Sequence, residues 1–81
     1  MNVYKMNQME ERDMIIEIGI TAGEIWHFLD EKGEVSLQDL IKGIDRTPET
    51  ILMSLGWLAR EGHVVLVQVN NDYRIYLRKD A

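Results

Sequence analysis

The sequence contains no cysteine, which excludes both a disulfide staple and a thiolate zinc site and fits a reducing compartment. No apolar run is long enough to span a bilayer, and the opening MNVYKMNQMEER holds nothing resembling a signal peptide. A soluble cytoplasmic protein is therefore expected. Proline occurs once, at Pro48. At 81 residues the chain forms one domain. A domain of that size buries only about 60% of its unfolded surface, so its core must be efficient.

Surplus basic charge is also missing. The net charge is −5, and its distribution is more telling than its value. Residues 1–44 carry Lys5, Arg12, Lys32 and Lys42 against nine acids, which accounts for the whole −5. Residues 45–81 carry Arg46, Arg60, Arg74, Arg78 and Lys79 against Asp45, Glu49, Glu61, Asp72 and Asp80, and sum to zero. A dedicated DNA binder normally shows a basic stripe on its reading half. Here that half is neutral.

What is present reads most clearly from Thr47 to Lys79. Thr47 is a good N-cap, and Pro48 sits where a first helical residue wants its φ preset. Ile51, Leu55 and Leu58 recur at helical spacing to about Glu61, and Gly62 supplies a left-handed stop. The period then drops to two. Val65, Val67 and Val69 alternate with Leu66 and Gln68, then Tyr73, Ile75 and Leu77 alternate with Arg74, Tyr76 and Arg78. Asn70, Asn71 and Asp72 suit the turn between them, because such residues tolerate positive φ.

Upstream, a long helix is expected from Asp13 to Lys32. Met14, Ile18, Ala22, Ile25 and Leu29 form its apolar stripe, widened by Ile15, Trp26 and Phe28, and Gly33 closes it. Trp26 reads as core. Glu34 and Val35 suit a short strand beside the hairpin. Ser36 then caps a helix from Leu37 to Ile44, burying Leu37, Leu40, Ile41 and Ile44, with Asp39 at its third position. The resulting order is helix, short strand, helix, turn, helix, hairpin. This is an α+β winged helix-turn-helix, with three helices, a C-terminal hairpin wing and a short third strand near Val35. Residues 1–10 read as a flexible segment and 11–81 as the domain. Gly19, Gly23 and Gly56 lie inside expected helices, where each costs about 1 kcal/mol relative to alanine. They suggest a close helix approach, with Gly56 meeting the Ala22–Gly23 surface.

Two strings carry a family resemblance: AGEIWHFL from Ala22 to Leu29, and LGWLAREG from Leu55 to Gly62. They resemble the hallmarks of a small prokaryotic family of stand-alone winged helix-turn-helix proteins of unassigned function. The likeness runs from about Gly19 to Val67. It implies the fold and an absence of catalysis, and brings no ligand or target with it.

In a winged helix docked on DNA, the third helix enters the major groove and presents donors and acceptors to base edges. The outward set expected here is Glu49, Thr50, Met53, Gly56, Trp57 and Arg60, of which only Thr50 and Arg60 suit that task. Arg46, Arg74, Arg78 and Lys79 could hold phosphates, with Tyr76 between the two wing arginines on one strand face. Trp57, Met53 and Arg60 instead have the composition of a protein interface; the competing reading folds Trp57 into the core. The strand from Val64 to Val69 is apolar on both faces and needs cover on both. Val64 and Leu66 therefore join the expected interface, and a homodimer is expected.

Nothing points to catalysis, a cofactor or a small-molecule substrate. His27 and His63 fall in different elements, and Glu17, Glu24 and Glu31 are spaced by sevens as a solvated stripe. GIDRTP lacks the lysine and spacing of a phosphate-cradling loop. The sequence thus favours a non-catalytic regulatory module working through homodimer or protein contacts. The alternative is a transcriptional regulator that binds DNA directly through helix 48–61 and wing 63–79.

Overall fold

A computed structural model describes residues 11–79. The segment 1–10, expected to be flexible, lies outside the described residues, as do residues 80 and 81. The first helix, α1, runs Ile15–Lys32. It starts two residues later than expected, with Met14 at the N-cap position and the Asp13 carboxylate accepting the Ile15 N–H at 2.9 Å. Gly33, at φ 83°, closes it by donating its N–H to the Leu29 carbonyl at 2.8 Å.

Strand β1 is Val35–Ser36, one residue beyond the expected Glu34–Val35. Ser36 Oγ then accepts the Asp39 N–H at 3.0 Å and starts α2, Leu37–Gly43. The helix stops at Gly43, because Ile44 turns to an extended backbone and drops its side chain into the core. Helix α3, Pro48–Arg60, is capped by Thr47, whose Oγ1 accepts the Thr50 N–H at 3.2 Å. Gly62 ends it at φ 83°.

Strands β2, Val64–Val69, and β3, Asp72–Leu77, form an antiparallel hairpin from Val64↔Leu77 to Val69↔Asp72. Asp72 belongs to the strand and leaves Asn70–Asn71 as the turn, with Asn70 at φ 59°. Strand β1 pairs with the far side of β3, Val35 opposite Ile75, so the sheet order is β1-β3-β2. Three helices and a three-stranded antiparallel sheet make the expected α+β winged helix.

One core joins the layers. Ala22, Ile25 and Leu29 of α1 meet Ile51, Leu55 and Leu58 of α3, with Leu40 and Ile44 beneath. Val35, Val64 and Ile75 close the sheet side. Each fully buried leucine, isoleucine or valine of this set contributes about 1.5–3 kcal/mol.

Three packing expectations fail. Trp26 is 38% exposed, because its helical phase puts it on the margin of the stripe, where it meets the His27 ring edge-on at 5.5 Å. Ile15, widening the same margin, is exposed too. Gly19, Gly23 and Gly56 serve no close approach among the described residues, since beyond the local helix backbone an added Cβ at any of them meets nothing there within 4 Å. The glycine that packing requires is Gly43, where a Cβ would sit 2.5 Å from the Phe28 ring.

Alanine substitutions should therefore split in sign. Gly19→Ala, Gly23→Ala and Gly56→Ala should each raise urea-unfolding stability by about 0.5–1 kcal/mol. Gly43→Ala should lower it by about 1–3 kcal/mol through the collision with Phe28. A loss at all three open positions would show that an unseen packing constraint acts there.

Candidate functional site

The rotation of α3 decides which side chains meet solvent. Thr50, Ile51, Ser54, Leu55 and Leu58 turn inward. Thr50 is only 4% exposed and its hydroxyl is shared with Thr47 Oγ1 at 2.9 Å, while Ser54 Oγ donates to the Thr50 carbonyl at 2.7 Å. Thr50 is thus removed from the base-reading set; a threonine that satisfies its hydroxyl along its own helix packs as core. The outward face is Glu49, Leu52, Met53, Gly56, Trp57 and Arg60. Leu52 was missed from that set, although its one-turn spacing from Gly56 was visible. Met53 is 51% and Trp57 48% exposed, so the core reading of Trp57 fails.

Two shallow apolar grooves flank this face. One, of about 320 Å³, lies between the helices and the wing, with Leu52, Leu55 and Gly56 facing Leu66, Tyr73 and Ile75. The other, about 250 Å³, has Gly19, Ala22 and Gly23 as its floor and Trp26 and Trp57 on its rim. The missing side chains of the glycines are what open these floors. Val64, expected on the interface, is 1% exposed and belongs to the core. Burial along β2 falls with distance from the helices as the wing projects: Val64 is covered, whereas Leu66, Val67 and Val69 are exposed.

The arginines expected on phosphate are mostly engaged. Arg46 grips Glu24 with two hydrogen bonds, Nε to Oε1 at 2.9 Å and Nη2 to Oε2 at 2.8 Å. The geometry is a bidentate fork, the strongest form of this pairing. Arg74 Nε donates to Glu34 Oε2 at 2.9 Å, and Arg78 Nε to the Gly62 carbonyl at 3.1 Å. Arg60 and Lys79 are exposed and form no ion pair among the described residues. Tyr76 is half-buried on the outer sheet face with Arg74. A broad cleft of about 780 Å³ is ringed by Glu24, Asp30, Glu31 and Asp45 around the already paired Arg46. Such a rim repels phosphate.

The residues offer little for chemistry. No group of three or more metal-ligating side chains occurs among the described residues. His27 meets Trp26 edge-on, and Ser54 is tied to its own helix, so neither is paired as a nucleophile with its base. Among the described residues no helix is long and apolar enough to cross a membrane.

Residues 8–78 match the winged helix-turn-helix domain family DUF2582. The chain belongs to this family. It is 36% identical over 69 residues to the uncharacterized protein MJ1608 of Methanocaldococcus jannaschii, covering 82% of this chain and 97% of that one. The solution NMR structure of BT2368 from Bacteroides thetaiotaomicron superposes with a TM-score of 0.70 at 35% identity, over 82% of this chain and 79% of that chain. A structure of HOP2, described by its DNA-recognition and protein-interaction domains, gives a TM-score of 0.63 at 21% identity, over 70% and 97% of the two chains. That likeness establishes the fold alone. Winged helix-turn-helix domains are generally non-catalytic, and the family carries that expectation here.

The Arg46 fork holds the Glu24 carboxyl below the usual carboxylate range, chiefly by its hydrogen bond and partly by its charge, against some loss of solvent. Arg46 is raised above its ordinary value, first by the bond to Glu24. A carboxylate depressed in the folded state stabilises the fold above its unfolded pKa and loses that contribution as pH falls through the folded one. A carbon-detected titration should place Glu24 below the ordinary value of a glutamate in a short peptide, and Arg46→Ala should raise it back toward that value. Glu24→Gln should remove the pair's share of the acid-limb stability loss. An ordinary Glu24 midpoint in the wild type would show that the fork does not persist in solution.

Proposed function

We propose that this winged helix acts as a protein-contact module in a regulatory setting, with α3 and the wing as its contact surface. One observation carries the reading: where a DNA reader presents donors and cations, α3 presents Leu52, Met53, Gly56 and Trp57. An exposed tryptophan beside Met53 and Arg60 is the composition of an interface centre.

The magnitudes favour this reading. Phosphate contacts supply essentially all non-specific DNA affinity, and about six to ten of them are typical of a strong binder. Arg60 and Lys79 are the reading-half cations left without a partner among the described residues. Recruiting Arg46 or Arg74 means first breaking its pair with Glu24 or Glu34. Direct DNA binding, the alternative, keeps Arg60 on the groove side and Lys79 at the foot of the wing. Two cations give a salt slope of only about −2.

Titration with a random-sequence duplex at about 50 mM salt, followed by amide shifts, should give no saturable change up to about 100 μM. Saturable binding that weakens with salt and vanishes in the Arg60→Ala/Lys79→Ala double variant would establish the DNA reading instead.

A further inference from the structure

Among the described residues the sheet has two free edges, and they differ. On one side β1 contributes two residues, too short to template another chain. On the other, β2 runs for six residues, Val-Val-Leu-Val-Gln-Val, with no bulge, proline or charged side chain. Natural proteins guard such an edge with those devices, because an unguarded one pairs with other chains. We propose that β2 pairs antiparallel with β2 of a second copy of this chain, across a two-fold axis at Val67. The two sheets then join into one of six strands. This deepens the protein-contact reading by naming the wing's partner, and it leaves the α3 face open.

The backbone phase supports the geometry. The His63 carbonyl accepts the Arg78 N–H at 3.0 Å, so His63, Val65, Val67 and Val69 turn their polar groups toward β3. Leu66 and Gln68 turn theirs outward. About an axis at Val67, Leu66 of each copy lies opposite Gln68 of the other, and each such pair exchanges both its N–H···O=C bonds. The two Val67 residues face each other as the closely spaced, non-bonded pair.

Chemistry selects a second copy over a foreign strand. Leu66 is exposed on the helix side of the sheet, Val67 and Val69 on the outer side. The complement they need is apolar on both faces and uncharged, which is β2 itself; an amphipathic strand would set charges against one face. Charge points the same way. Two copies of a chain with net charge −5 repel each other most where the acids of α1 would meet. The strand 64–69 carries no ionisable group, so contact there brings no like charges together directly. An isologous interface needs that self-complementarity.

Sedimentation equilibrium at about 100 μM should give twice the 9.5 kDa chain mass. Gln68→Pro removes only an outward N–H and leaves the β2–β3 ladder intact, so it should yield a folded single-chain species. Val67→Glu and Val67→Lys place like charges face to face across the axis. Each should weaken association at least tenfold, and mixing the two should restore the dimer mass. This charge-swap rescue remains decisive if Gln68→Pro fails to fold. Trp57→Ala should leave the dimer unchanged. A single-chain mass for the wild type at about 500 μM, or dimers that persist in all the β2 variants, would overturn the proposal. Loss of the dimer in Trp57→Ala alone would also overturn it while leaving the protein-contact reading standing, since the contact would then lie on α3.

Discussion

The rotational phase of α3 governs everything that follows from this fold. Thr47 caps the helix through the Thr50 N–H, and the Thr47–Thr50–Ser54 hydroxyls bond along the helix itself. That lets two polar residues be buried beside Ile51, Leu55 and Leu58 with their hydrogen bonds satisfied. A helix rotated by one residue would bury Leu52 but free Thr50 and Ser54 from the core, expose Leu58 and leave Met53 and Trp57 outside. In the observed phase the helix keeps its hydroxyls inside and sends Leu52, Met53 and Trp57 outside. The surface chemistry of the domain is a consequence of how its third helix solves its own hydrogen bonding.

The charge pattern reinforces that outcome. The acidity of residues 1–44 is not only a solvated stripe: Glu24 reaches across to Arg46 and Glu34 to Arg74. Both pairs are partly exposed, so each contributes modestly to stability. Their larger effect is on availability. The neutral half of the chain is neutralised in space as well as in sum, because acids from the scaffold half occupy two of its five cations.

Local signals made the fold legible: the Thr47–Pro48 start, the glycine stops at Gly33 and Gly62, the Ser36 cap, and the change of period from helix to strand. Each rests on chemistry within four residues. The site was harder to read, because its misplacements depend on contacts that periodicity does not carry. Thr50 was set outside because a hydroxyl looks like a surface group until its partner at Thr47 is known. Val64 was assigned by strand alternation, whereas its burial is set by nearness to the helices. Trp26 was placed inside by size, but its phase at the edge of the α1 stripe keeps it half out. Leu52 looks like a core residue by type, and only the phase of α3 set by the inward Thr50 and Ser54 puts it outside.

The glycines tie these strands of argument together. Three glycines within helices cost about 1.5–3 kcal/mol in sum, out of the roughly 5–15 kcal/mol that holds a typical domain folded. Nothing among the described residues needs them, since beyond the local helix backbone no atom there lies within 4 Å of where their side chains would be. Gly56 instead floors the groove beside the wing, while Gly19 and Gly23 floor the one between Trp26 and Trp57. On the protein-contact reading the cost has a function. Flat floors beside large aromatic rims let a partner's backbone approach closely, and a duplex, which presents phosphates and needs donors, would gain nothing from them.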